Sequence, residues 1–260
     1  EYEVFVLTWS GDLCSGECHK HENNASISAD SITLQALEMQ SSSLRNHLED
    51  HEFVFVNGTV PTKPVDDHAS RIMDEHYGYI MDGPDADQCR ELLSTMIEFV
   101  HDNGPFDGVF GFSEGGMIAA LLLVEDARRP FAGFRCGIMF SAAPPFDPDI
   151  SQTTDDNVRA LGMNGTEDGV IIKVPTAHIR ESSPPPWLWR FSPLAPLWAK
   201  HDMGNPTRLN EAMIGLCDGG VREVFTHHHV GHDIPGTKSK MELAGALRAI
   251  ERTIERCQDP

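Results

Sequence analysis

Val109-Phe110-Gly111-Phe112-Ser113-Glu114-Gly115-Gly116 contains a G-x-S-x-G sequence. It is set between an apolar run, 108–112, that reads as a strand, and a segment, 116–126, that reads as a helix. A chain that turns this sharply from strand to helix crowds the side chains on either side of the turn. Glycine at 111 and 115 relieves that crowding and leaves Ser113 exposed as a nucleophile. The helix that follows directs its first N–H groups and its positive end towards a reacting oxygen, which makes the N–H of Glu114 an oxyanion donor. The competing reading is a glycine-rich turn carrying an ordinary serine, and the strand before it and the helix after it argue against that.

On both sides of this stretch, strands alternate with helices. Upstream, 4–7 is a continuous apolar run suited to a strand buried on both faces, and 53–56 is a second strand. Between them Leu34, Leu37, Leu44 and Leu48 recur at helical spacing, which predicts a β-α-β unit. The segment 58–83 reads as a long loop. Asp85 and Asp87 supply acidic residues for a helix start, and Leu92, Leu93, Met96, Ile97 and Val100 supply its inward stripe. Downstream, 136–140 and 170–179 read as strands, with Pro175 near the beginning of the second because proline cannot donate to a central ladder. Then follow a helix over 206–217, a strand over 222–226, a loop over 227–235 and an amphipathic helix over 238–256. The alternation predicts an α/β fold whose mostly parallel sheet is covered by helices on both faces. Ligands of such sheets lie beyond the carboxyl ends of the strands, where Ser113 is placed.

Two stretches interrupt the pattern. Residues 11–30 are polar and hold Cys14, Cys18, His19 and His21, whose C-x3-C-H-x-H spacing invites a zinc reading. With no second pair at finger-like spacing, an irregular insertion is the better reading, and no metal is assigned. Residues 181–198 hold Pro184-Pro185-Pro186 with Trp187, Trp189, Phe191 and Trp198, and read as a lid or pocket wall. A polyproline segment for a partner is the alternative.

The 260 residues suit one domain, 1–260, and their formal net charge of −20 argues against nucleic acid or an anionic membrane as partner. No apolar run approaches the roughly 20 residues of a membrane span. The six cysteines lack the density of a disulfide scaffold, so reduced thiols and a cytoplasmic setting are expected.

A serine hydroxyl needs a general base, and histidine titrates in the right range. In α/β hydrolases the chain order is serine, acid, histidine, with the histidine on the loop after the last strand. His227, His228, His229 and His232 occupy that loop. Gly231 and Ile234-Pro235 frame His232 in a turn able to aim one imidazole at Ser113. The acid candidates are Asp168, before the 170–179 strand, and Asp202, after it; chain order favours Asp202. The triad expected is therefore Ser113, Asp202 and His232, with no cofactor.

Gly111-Phe-Ser-Glu-Gly-Gly116, Phe53-Val-Phe-Val-Asn-Gly58, Val174-Pro-Thr-Ala-His178, Leu216-Cys-Asp218 and Gly231-His-Asp-Ile-Pro235 together resemble the FSH family of serine hydrolases. The resemblance implies the α/β-hydrolase fold and the same triad residues. Several members resemble the thioesterase that releases a polyketide in the lovastatin pathway. Esterase or thioesterase work in fungal secondary metabolism is what this implies, on a small acyl ester or a carrier-bound thioester, with a polyketide synthase as partner. Members show L-H-G-x-G at the end of the first strand, a loop that gives a second oxyanion donor. Here the stretch reads Leu7-Thr8-Trp9-Ser10-Gly11, which carries that donor over to Trp9. Two other classes share these residues: a hydrolase-fold binding protein with impaired catalysis, and an amide or carbon–carbon bond hydrolase.

Overall fold

A computed structural model describes residues 5–11, 32–62, 76–81, 83–149, 158–163, 168–183 and 206–258. Its centre is a six-stranded sheet. In chain order the strands are β1 (Phe5–Gly11), β2 (His51–Asn57), β5 (Gly108–Phe112), β6 (Cys136–Phe140), β7 (Thr176–Glu181) and β8 (Arg222–His227), and in space they run β2-β1-β5-β6-β7-β8. A separate antiparallel pair, β3 (Val60–Thr62) and β4 (His76–Gly78), lies within the stretch expected to be loop. The helices are α1 (Ile32–Arg45), α2 (Ala86–Asn103), α3 (Glu114–Arg128), α4 (Pro206–Gly215) and α5 (Lys240–Gln258).

Strands β5 to β8 are parallel, as the alternation of strand and helix predicts. Strand β1 is antiparallel to both of its neighbours, so β2 runs with β5 and β1 alone is reversed. The expected β-α-β unit of parallel strands at the start of the chain is thereby corrected. An apolar run marks a strand, and it carries no information about the strand's direction. The strand carried by 170–179 starts beside its proline, as expected, and runs on to Glu181. Proline at 175 removes a ladder donor, and β7 begins at the next residue, while Ile172 makes only an isolated bridge to Cys217.

Two apolar layers cover the sheet. On one face α2, α3 and α4 pack through Leu92, Met96, Leu121, Leu209 and Met213 over Val109 and Met139. On the other, Leu44 of α1 and Leu243, Leu247 and Ile250 of α5 pack over Phe110, Phe112, Ile138, Phe140, Ala177 and Ile179. Alternate residues of β5 to β7 therefore enter opposite layers, as the two-residue strand period requires. Helix α3 is buried along its length from Met117 to Val124, and each large side chain so buried contributes about 1.5–3 kcal/mol. Helix α2 begins with a reciprocal cap: the Asp85 side chain accepts the Gln88 N–H, and the Gln88 side chain accepts the Asp85 N–H. Among the described residues no helix is long and apolar enough to cross a membrane.

Candidate active site

Ser113 stands between the end of β5 and the start of α3 with φ 57° and ψ −117°, a strained conformation that a nucleophile elbow imposes on its serine. Gly111 acts as the sequence suggests, and Gly116 is as tightly placed. A Cβ on Gly111 would lie 2.1 Å from the carbonyl oxygen of Gly115, and one on Gly116 would lie 2.7 Å from Cβ of Ala142. The Ser113 N–H donates to the Phe140 carbonyl at 2.8 Å, which ties the elbow to the end of β6.

His232 follows β8 in a turn where Gly231 has φ 76°. Its Nε2 is 3.0 Å from Ser113 Oγ, and its ring packs on Phe112 with centroids 4.9 Å apart. Its Nδ1 is 2.9 Å from Oε1 of Glu181, the last residue of β7. Both partners of that contact are nearly fully buried, with side-chain exposures of 7% and 4%. The second carboxylate oxygen of Glu181 accepts the hydroxyl of Ser141. Burial pushes the Glu181 carboxyl up, but the contacts with His232 and Ser141 outweigh it and leave its pKa below the ordinary value.

Glu181 is thus the carboxylate that meets Nδ1 of His232, while Asp202, the acid expected from chain order, lies outside the described residues. The other candidate, Asp168, is engaged elsewhere: one oxygen accepts Arg159 at 2.7 Å and the other the Gly162 N–H at 2.8 Å. The direction of β1 bears on the donor expected at Trp9. Because β1 runs opposite to β5, Trp9 pairs with Gly108 at the amino end of β5, about 13 Å of strand from Phe112. The N–H of Trp9 is therefore at the wrong end of the sheet to serve an oxyanion at Ser113. The metal-like segment 12–21 and the aromatic stretch 184–198 lie outside the described residues.

Sequence reasoning misses Glu181 because it is the first residue of the 181–198 stretch that reads as a lid or pocket wall. A signal was present nonetheless. Along β7, Ala177, Ile179 and Glu181 share one phase, and a carboxylate in phase with two buried apolar residues at a strand's carboxyl end needs a partner. Four other residues belong to the surroundings. Glu114 is buried, and its Oε1 accepts the N–H groups of Tyr79 and Ile80 at 3.3 and 3.1 Å, fixing that segment over the elbow. His227 pairs with Glu181 across the β7–β8 ladder and is 1% exposed, while His228 and His229 are exposed. Burial lowers the pKa of His227 against the pull of Glu181 and Glu242.

A serine at a strained elbow, a histidine on its hydroxyl and a carboxylate on the far ring nitrogen, all at the carboxyl ends of the parallel strands β5 to β8, define an α/β hydrolase. Comparison with known proteins agrees. A model of the FSH1 serine hydrolase family matches residues 33–189, and the chain belongs to that family. It is similar to the esterase FPY3 of Fusarium mangiferae, 28% identical over 225 residues, covering 85% of this chain and 91% of the relative. It is also similar to the esterase alnB of Emericella nidulans, 28% identical over 254 residues, covering 80% and 87%. The hydrolase FUB4 of Fusarium oxysporum f. sp. lycopersici is 30% identical over a shorter stretch of 124 residues, covering 45% and 46%.

Proposed function

We propose that this chain is an esterase or thioesterase that works through an acyl-Ser113 intermediate. The single observation that carries the reading is the continuous chain from Ser113 Oγ through His232 to Glu181, with contacts of 3.0 and 2.9 Å. His232 Nε2 takes the proton as Ser113 Oγ attacks the acyl carbon. Glu181 holds Nδ1–H, which fixes the tautomer and stabilises the imidazolium as it forms. The N–H of Glu114, at the first position of α3, receives the negative charge on the carbonyl oxygen. His232 then returns its proton to the leaving alcohol or thiol, and a water activated in the same way releases the acid.

The substrate is a small acyl ester or a carrier-bound thioester of fungal secondary metabolism of the polyketide type, with a polyketide synthase as the carrier's source. Support comes from family membership, from the fungal esterases and hydrolases that the chain resembles, and from the family's likeness to a polyketide-releasing thioesterase. A cytoplasmic setting fits Cys89, Cys136, Cys217 and Cys257, which are buried as free thiols.

The test is Ser113→Ala. The variant keeps the fold, fails to hydrolyse a short-chain aryl ester and takes up no fluorophosphonate, because the hydroxyl attacks and is not packed in the core. Wild-type turnover at unchanged thermal stability would remove Ser113 from the mechanism.

A further inference from the structure

Using Glu181 rather than an aspartate as the acid carries a geometric cost. Glutamate has one more rotatable bond, and its terminal torsion is broad and roughly two-fold, so a contact on one oxygen leaves the carboxylate plane poorly defined. A buried carboxylate also needs a hydrogen-bond donor at each oxygen. In this structure His232 supplies the partner of Oε1 and the hydroxyl of Ser141 supplies that of Oε2. We propose that Ser141 is a positioning residue for the proposed triad, its hydroxyl pinning Oε2 of Glu181 so that Oε1 is held against Nδ1 of His232.

The backbone around Ser141 is arranged for this. The residue follows the last position of β6, is 2% exposed and has φ 48°, a left-handed conformation that side chains other than those of glycine, asparagine and aspartate seldom adopt. Its N–H donates to the Ile179 carbonyl at 2.8 Å, on the strand that carries Glu181. The preceding carbonyl, of Phe140, accepts the N–H of Ser113. The peptide group between Phe140 and Ser141 thus joins the strand bearing the nucleophile to the strand bearing the acid. If φ alone mattered, glycine would serve better than serine, since it adopts this conformation without strain. The presence of a serine whose hydroxyl reaches the acid points to the hydroxyl.

The charged and titratable groups around the acid set the direction of the effect. Glu181 faces His232 from the loop after β8 and His227 from β8 itself. His227 in turn feels Glu242 of α5 and the neighbouring His228. The backbone N–H of Glu181 also favours the carboxylate, and among the described side chains Ser141 is the donor to Oε2. The hydroxyl stabilises the carboxylate, so without it the Glu181–His232 pair takes up a proton more readily, and the active form, with a neutral imidazole beside a carboxylate, is lost at a higher pH.

The inference rests on the triad reading, and the experiment separates the two. Ser141→Gly, which relieves the left-handed backbone, and Ser141→Ala, which does not, are assayed on an aryl ester across pH beside Ser113→Ala. Both Ser141 variants are expected to lose about 10–100-fold in kcat with KM little changed. The acid limb of kcat/KM is expected to move up by roughly 0.5–1 pH unit. The downfield proton resonance of the His232 ring is expected to move in the Ser141→Gly spectrum. Ser141→Gly with wild-type kcat, pH profile and resonance would overturn the positioning role while leaving the triad standing. An active Ser113→Ala would instead overturn the triad.

Discussion

Replacing Glu181 by glutamine tests the member of the proposed triad that the sequence reading did not name. Glutamine keeps the length and the volume, so the contact of 2.9 Å with His232 and the contact with Ser141 can both form. The amide can nonetheless turn its NH2 group towards Nδ1, which stabilises the tautomer carrying its proton on Nε2. That tautomer donates to Ser113 Oγ and cannot accept its proton. In a serine protease the equivalent change of the triad acid to its amide costs about 10⁴-fold, which corresponds to roughly 5 kcal/mol of transition-state stabilisation. Glu181→Gln is therefore expected to lower the acylation rate by about that factor. Glu181→Asp is expected to fall in between. Shortening the side chain by one carbon, about 1.5 Å, opens the 2.9 Å contact beyond hydrogen-bonding range unless the strand moves. Asp202→Asn is the control and is expected to acylate near the wild-type rate, because Nδ1 of His232 already has its carboxylate. The assay is stopped-flow acylation by an aryl ester under single-turnover conditions, with circular dichroism to confirm the fold. Near-normal acylation by Glu181→Gln together with a defect of several powers of ten in Asp202→Asn would refute the reasoning.

Two further outcomes follow from the packing. Gly111→Ala places a Cβ 2.1 Å from the Gly115 carbonyl oxygen, a clash with backbone that no rotamer relieves, and is expected to cost about 1–3 kcal/mol or more; an unchanged urea midpoint would contradict the crowding at the elbow. His178 is 4% exposed, and burial first, then Arg222 and Arg180, lower its pKa to about 3. The unfolded chain takes up this proton below about pH 6.5 and the folded chain does not, so stability present at neutral pH is lost as pH falls. From pH 7 to pH 5 the loss from this group is about 2 kcal/mol. Urea titrations at both pH values are expected to show a smaller acid-side loss in His178→Gln than in the wild type. Parallel losses would show that His178 is not held neutral in the fold.

Much of the fold is legible because burial leaves a periodic trace. The apolar strand 108–112, the glycines at 111 and 115 and the helix after them specify an elbow, since the crowding there is local and set by residues within a few positions of each other. His232 is legible for a related reason: Gly231 and Pro235 frame a turn, and chain order in this fold class puts the base after the last strand. The strand-helix alternation likewise gives the parallel run from β5 to β8.

The tertiary structure decided three matters that local chemistry does not encode. The direction of β1 depends on its pairing with β2 and β5, and that reversal removes Trp9 from the nucleophile's end of the sheet. The identity of the acid depends on which carboxylate, among many in a chain of 40 acidic residues, is brought within reach of Nδ1 by the β7–β8 ladder. The role of Ser141 depends on the lateral spacing of β5, β6 and β7, which brings residues 113, 141 and 181 side by side although they are distant in sequence. Sequence patterns record which face of a strand or helix is apolar, because that is a property of neighbouring residues. Contacts between strand ends are fixed by register and direction, and those are settled only when the whole sheet has formed.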